Sequence, residues 1–309
     1  AEKDVELLSL SNQIHDDQHL KGLPSFTSMW EEEMGRRFTS TAFVPLAGGK
    51  ELRSGSLKVM RQMAFGGLSA IYLAQQDQTD TVVLKEFIVP DVDEKLRAKA
   101  AELFNREASL LSKLSHPQIA RVRDHFVEDG RTYLLLDYIP GADLRQIVKQ
   151  NGPQSELIVR RWAEQIADIL SYLHEQSPPV IHRDLTPDNI VLAGDETIVL
   201  IDFGAANEYI GTATGTLVGK QSYIAPEQFR GDTTLASDIY SAGATLHFLL
   251  TGHDPEALSP SAPRLLNQSL SEAMDQLVQD CTAFEESERV KSASELKSRL
   301  QALEGALSG

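Results

Sequence analysis

The spacing of apolar residues changes once along this chain, near residue 141, and that change limits the fold more than any other feature. Before it, the apolar stretches are short and strand-like: LKVMRQM from Leu57, SAIYLAQQ from Ser69, TVVLKEFIV from Thr81, then RVRDHFVE and TYLLLDYI. Glycine and turn residues separate them, so a sheet with hairpin connections is predicted. One helical stripe interrupts the series, with Leu96, Ala100, Leu103, Leu111 and Leu114 on one face of residues 93–114. After Gly141 the spacing is mostly helical, through RRWAEQIADILSYLHEQ, SDIYSAGATLHFLLTG, EAMDQLVQDCTAF and SASELKSRLQALE. A strand-rich first part and a helix-rich second part predict an α+β architecture of two lobes, with a ligand cleft at their junction near Tyr138 to Asp143.

Length and charge narrow the function. A chain of 309 residues is large enough for two lobes with a shared or divided core. The formal charge of −16 repels a polyphosphate backbone, so nucleic acid is not an expected partner. No apolar run approaches the ~18 residues of a membrane-spanning helix, and the start, AEKDVELLSL, lacks the pattern of a secretory signal. One cysteine, Cys281, fits a reducing, cytoplasmic setting. The chain begins at Ala1 rather than Met, which fits a piece of a longer protein. Residues 1–56 read as an extension with one or two short helices, an acidic patch at Glu31 to Glu33 and a Gly- and Ser-containing stretch.

Several polar residues stand where the pattern calls for apolar ones. Glu107 interrupts the helical stripe of residues 93–114, and Lys85 shares a strand face with Val83 and Phe87. Alone, each reads as a snorkelling surface residue; together they suggest a Lys85–Glu107 ion pair beside a bound anion. The glycine break AFGGLSAIY is either an ordinary tight hairpin or one whose backbone N–H groups approach phosphate oxygens. The segments IHRDLTPDNIVL and TIVLIDFGAA place Asn189 and Asp202 at the ends of two apolar strands. Read singly, these are turn residues; read together, they make an oxygen-rich site suited to Mg²⁺, with Asp184 placed to accept a hydroxyl proton.

At residues 57 to 300 the chain resembles the eukaryotic-type (Hanks-type) Ser/Thr protein kinases, most closely bacterial members. The resemblance rests on His182-Arg183-Asp184-Leu185 with Asn189, on Asp202-Phe203-Gly204, and on Ala225-Pro226-Glu227, in the family's order. It implies a small antiparallel-sheet N-lobe with one helix at residues 57–139, and a larger helical C-lobe at residues 140–305. It implies that Lys85 holds ATP phosphates and is positioned by Glu107, that Asn189 and Asp202 bind Mg²⁺, and that Asp184 is the base. Leu136 matches the gatekeeper, with Asp137 to Ile139 as the hinge and Asp143 close by. Ile71, Val83 and Val191 match the positions that sandwich adenine. Asp238 resembles the start of the central C-lobe helix, and Arg289 the arginine that pairs with the glutamate of the APE motif.

The sequence departs from the family at two places. The glycine motif reads Ala64-Phe65-Gly66-Gly67-Leu68-Ser69, with Ala64 and Ser69 in place of the outer glycines. The lysine that usually follows HRDL is Thr186, while the threonine of the later G-T-x-x-Y motif is Lys220. An exchange of the two side chains, with Lys220 supplying the cation near the γ-phosphate, is one reading; a simple loss at Thr186 is the other. Arg183, in the family, often pairs with a phosphorylated activation-segment residue, for which Thr212, Thr214 and Thr216 are candidates. The resemblance implies an ATP- and Mg²⁺-dependent kinase acting on Ser/Thr hydroxyls of protein substrates and on itself, and it allows self-association. A nucleotide-binding pseudokinase acting as a scaffold or allosteric regulator is the alternative that the departures raise.

Overall fold

A computed structural model describes residues 43–66, 69–88, 102, 104–105, 108–194, 196–202 and 221–307. Glu107, Gly67, Leu68, Phe203, Gly204, Lys220 and the candidate threonines at 212, 214 and 216 lie outside them, as do residues 1–42.

The strand-like stretches form one antiparallel sheet of six strands. These are β1 (Glu51–Leu52), β2 (Leu57–Gly66), β3 (Ser69–Gln76), β4 (Asp80–Phe87), β5 (Val122–Glu128) and β6 (Arg131–Asp137), in the order β1-β2-β3-β4-β6-β5. Alternation gives the sheet two different faces. Ala70, Tyr72, Val82, Leu84, Tyr133 and Leu135 turn outward and form a small core closed by Leu52, Leu57 and Val59. Leu134 and Leu136 turn the other way, onto the large core shared with the helices. The first strand lies within residues read as extension. β1 is too short to show a period, so the sequence gives no sign of it. Of the expected helix over 93–114, the described residues 102, 104–105 and 108–111 are helical, and Phe104, Ala108 and Leu111 are buried.

The C-lobe follows the predicted helical spacing. Its helices are α1 (Leu144–Asn151), α2 (Glu156–His174), α3 (Leu235–Thr251), α4 (Glu272–Cys281) and α5 (Ala293–Leu307). Ser155 and Ser271 accept the first free N–H groups of α2 and α4, as N-caps should. Between Leu235 and Thr251, all but the first two residues of α3 are buried, which explains its near-continuous apolar sequence. A second small sheet, β7 (Ala142–Asp143), β8 (Ile190–Leu192) and β9 (Ile198–Leu200), lies next to the hinge. Gly141 makes that placement feasible: a Cβ there would lie 2.3 Å from the Leu192 carbonyl oxygen. The parallel bridge from Ile119 to Leu200 ties the N-lobe connection to this sheet.

Candidate active site

Lys85 sits on β4 opposite Ile71 and Leu134, on the face that carries Val83. It is 5% exposed, and an ammonium so buried needs an anionic partner. Its Nζ donates to Asp202 Oδ1 at 2.5 Å, across 117 residues of sequence. The Nζ of this lysine also lies over the Phe87 ring, 5.4 Å from its centre.

The catalytic-loop residues are held from below by α3. Asp238 is fully buried and accepts from the backbone N–H groups of His182 and Arg183, each at 2.9 Å, with His174 Nε2 also 2.9 Å away. Anchoring of this kind sustains the left-handed backbone of Arg183 (φ +68°), a conformation that costs a non-glycine residue about 1–3 kcal/mol. Burial pushes the His182 imidazole below its ordinary pKa and so favours the neutral ring. A neutral ring satisfies both contacts: Nε2–H donates to the Asp202 carbonyl at 2.5 Å, and Nδ1 accepts from the Asp184 N–H at 3.3 Å. One histidine thereby spans the two loops that carry Asp184 and Asp202.

Asn189 closes the loop on itself. Its Nδ2 donates to the Asp184 carbonyl at 2.7 Å and to Asp184 Oδ2 at 2.9 Å, and the Ile201 N–H donates to the Asn189 carbonyl at 3.0 Å. That leaves Asn189 Oδ1, with an Asp202 carboxylate oxygen, as hard oxygen donors at adjacent strand ends. Among the described residues no three or more His, Cys, Asp or Glu side chains gather into a metal cage. A two-residue oxygen site suits Mg²⁺, which completes its shell with phosphate oxygens and water.

The expected nucleotide residues line up along the sheet and hinge. Ala64 pairs with Ile71 and Gly66 with Ser69 at the β2–β3 turn, and Val83 pairs with Leu136. Val191 is buried on β8. The Asp137 carboxylate is taken by Arg123 at 2.5 Å, and its N–H donates to the Arg121 carbonyl, so its polar groups are largely engaged within the fold. The N–H of Ile139, beyond the strand, meets no acceptor among the described residues. Asp143 caps α1, accepting from the Gln146 N–H at 2.7 Å, and burial raises its carboxyl pKa.

Sequence reasoning missed Arg145. Its guanidinium donates to Asp188 Oδ2 (2.7 Å), Asp254 Oδ1 (2.9 Å) and the Tyr223 hydroxyl (3.0 Å), which ties the catalytic loop to the segment before the APE motif. Those partners are 43, 109 and 78 positions away, so no local pattern marks it. Thr186 is 1% exposed, and its hydroxyl has no hydrogen-bond partner among the described residues. Glu227 and Arg289 pair as expected, and Gln228 Nε2 donates to the Arg183 carbonyl at 3.1 Å.

Comparison with known proteins bears on the family and the fold. Residues 57–303 match the family described as Protein kinase domain. The chain is 35% identical over 229 residues to Serine/threonine-protein kinase B of Synechocystis sp., covering 69% of this chain and 40% of that protein. It is 38% identical over 226 residues to Serine/threonine-protein kinase PkaA of Streptomyces coelicolor, covering 71% of this chain and 40% of that one. The solved Mycobacterium tuberculosis PknI kinase domain superposes with a TM-score of 0.66 at 26% identity, over 84% of this chain and 99% of the other. The chain spans about two fifths of the length of these curated relatives. With its motifs in order and its strand-rich and helix-rich lobes formed, the chain belongs to the protein kinase family.

Proposed function

We propose that this chain transfers the γ-phosphoryl group of ATP to Ser/Thr hydroxyls of protein substrates and of itself. The observation that carries this reading is that Lys85 bonds Asp202 and Asn189 bonds Asp184, with His182 hydrogen-bonded to both loops. Members of this family use ATP and a divalent metal in general; here Lys85 would hold the α- and β-phosphates, Glu107 would position Lys85, and Asn189 and Asp202 would hold Mg²⁺. The bound metal would neutralise charge on the phosphate oxygens. Asp184, oriented by Asn189, would accept the substrate hydroxyl proton, and the buried His182 would keep the two loops in register. Ala64, Gly66, Gly67 and Ser69 would cover the phosphates. Ile71, Val83, Leu136 and Val191 would enclose adenine, with Asp137, Ile139 and Asp143 along its edge. In this reading residues 57–139 carry the nucleotide and residues 140–305 the protein substrate.

Lys220 belongs to the same proposal as the cation beside the γ-phosphate, because the buried Thr186 hydroxyl lacks a partner among the described residues. The cytoplasm is the location that the single, buried Cys281 supports. Among the described residues no helix is long and apolar enough to cross a membrane.

The test is incubation of the chain with ATP and Mg²⁺, Asp184→Asn alongside, and mass spectrometry of the products. Phosphoserine or phosphothreonine in the wild type alone is the expected result. Nucleotide binding with no phosphate transfer by either protein would favour a scaffold instead.

A further inference from the structure

Two neighbouring residues of β4 face opposite ways. Lys85 reaches Asp202, and Glu86 points into the outer core at 1% exposure. A carboxylate so placed needs donors, and burial raises its pKa. Its Oε2 accepts from the Tyr72 hydroxyl at 2.9 Å and its Oε1 from Arg131 Nη1 at 3.0 Å. Both partners reach on to the segment that precedes β1. The Tyr72 hydroxyl accepts from the Leu46 N–H at 3.1 Å, and Arg131 Nη1 donates to the Val44 carbonyl at 3.0 Å.

The same segment continues to the tip of β2. The Arg131 guanidinium lies 5.5 Å from the centre of the Phe43 ring. Phe43 in turn stacks on Phe65, with ring centres 5.5 Å apart and planes inclined by 19°. Phe65 directly precedes Gly66 at the end of β2 and is 58% exposed. Two irregularities in the β2–β3 register, at Val59/Arg61 and Gln62/Ala64, loosen the hairpin just before that tip. Phe43 thus adds to the tip a contact from outside its own strands.

We infer that residues 43–46 form a strap that sets the position of the β2–β3 tip relative to the Lys85 strand, and that Phe43 is a positioning residue for the phosphates of ATP. The inference rests on the reading of β2–β3 as the phosphate-covering hairpin. Its path runs from Phe65 through Phe43 and Arg131 to Glu86, the immediate neighbour of Lys85. A segment that only sealed the outer core would stabilise the lobe without distinguishing one nucleotide ligand from another. A strap that holds the tip acts on the phosphates alone.

The experiment compares Phe43→Ala, Phe43→Trp, Phe65→Ala and the double variant F43A/F65A in the full chain, with calorimetric titration of ATP plus Mg²⁺ and, separately, of adenosine. Loss of one aromatic stack corresponds to an ATP dissociation constant about three- to tenfold higher in F43A, with adenosine unchanged and F43W close to wild type. In the F65A background, F43A should add nothing. Hydrogen exchange should quicken in residues 61–66 of F43A and not in β6. Equal weakening of both ligands, or unchanged ATP affinity with unchanged exchange at 61–66, overturns the strap. If the wild type binds neither ligand, the proposed function fails instead, and exchange at residues 61–66 decides the strap by itself.

Discussion

Glu227 and Arg289 meet in a buried two-pronged ion pair, Nη1 to Oε1 at 2.6 Å and Nη2 to Oε2 at 2.8 Å. Every donor of the guanidinium is used: Nε serves the Ala283 carbonyl, and the remaining N–H groups serve Ala236 and Phe284. Ser237 adds a hydrogen bond to Glu227 Oε1 at 2.7 Å. A buried pair this complete locks the segment that ends the APE motif onto α3 and the stretch before α5.

Arg289→Met would leave the Glu227 charge buried with Ser237 alone, and should cost about 3–5 kcal/mol in denaturant unfolding. Glu227→Gln keeps the shape but leaves the buried Arg289 charge without a counter-ion, so it too should cost about 3–5 kcal/mol. Burial raises the Glu227 pKa, but the hydrogen bonds from Arg289 and Ser237 outweigh it and leave the net value below that of an ordinary carboxyl. The fold therefore favours the ionised form. Its contribution is complete above the unfolded carboxyl pKa, about 4.3, and is lost as pH falls through the lower folded value. The urea midpoints of wild type and E227Q should thus differ most near neutrality and converge in acid. A gap that stays constant from neutral pH into acid would contradict the ionic account.

Lys85 was legible because a charge interrupted a strict alternation with Val83 and Phe87. Asn189 and Asp202 were legible because they end apolar strands that are too short to need turn residues of that kind. Glu86 was not. A charge beside Lys85 in an alternating strand reads as the solvent face, and the residues that cover that face come from FVPLAGG, which has no period at all. Arg145 was hidden for the same reason: DLRQ opens a polar helix, and only the fold brings Asp188, Tyr223 and Asp254 to it. Local pattern reports what a residue's own element needs. It is silent where a partner arrives from a distant, irregular segment.

The exchange proposed for Thr186 and Lys220 makes a prediction about kinetics rather than binding. If Lys220 supplies charge to the transferring phosphoryl group, Lys220→Ala should lower turnover by about 10²-fold or more while ATP affinity changes little. Restoring the usual arrangement with Thr186→Lys in the Lys220→Thr background should recover much of the loss, because the cation returns from the loop side. Turnover in Lys220→Ala equal to wild type, measured on one peptide substrate at saturating ATP, would mean that Thr186 is a simple loss.

His247 lies on α3 at 6% exposure, and its Nδ1 has no hydrogen-bond partner among the described residues. Burial lowers its pKa to about 4, and the neighbouring His253 pushes in the same direction, while Asp254 and Asp275 oppose. In the unfolded chain the same imidazole titrates near 6.5. The sign follows from proton counting. Between those two values the unfolded chain takes up a proton that the folded protein refuses, so stability is complete above about pH 6.5 and declines as pH falls toward 4. A shift of this size is worth on the order of 3 kcal/mol across that window. His247→Leu removes the titrating group and keeps an apolar side chain in the core, so its stability should fall less steeply than that of the wild type between pH 6.5 and 4. Urea unfolding of both proteins at several pH values measures the difference in slope. Parallel profiles would mean that the imidazole finds a proton acceptor in the folded state and that burial does not govern its titration.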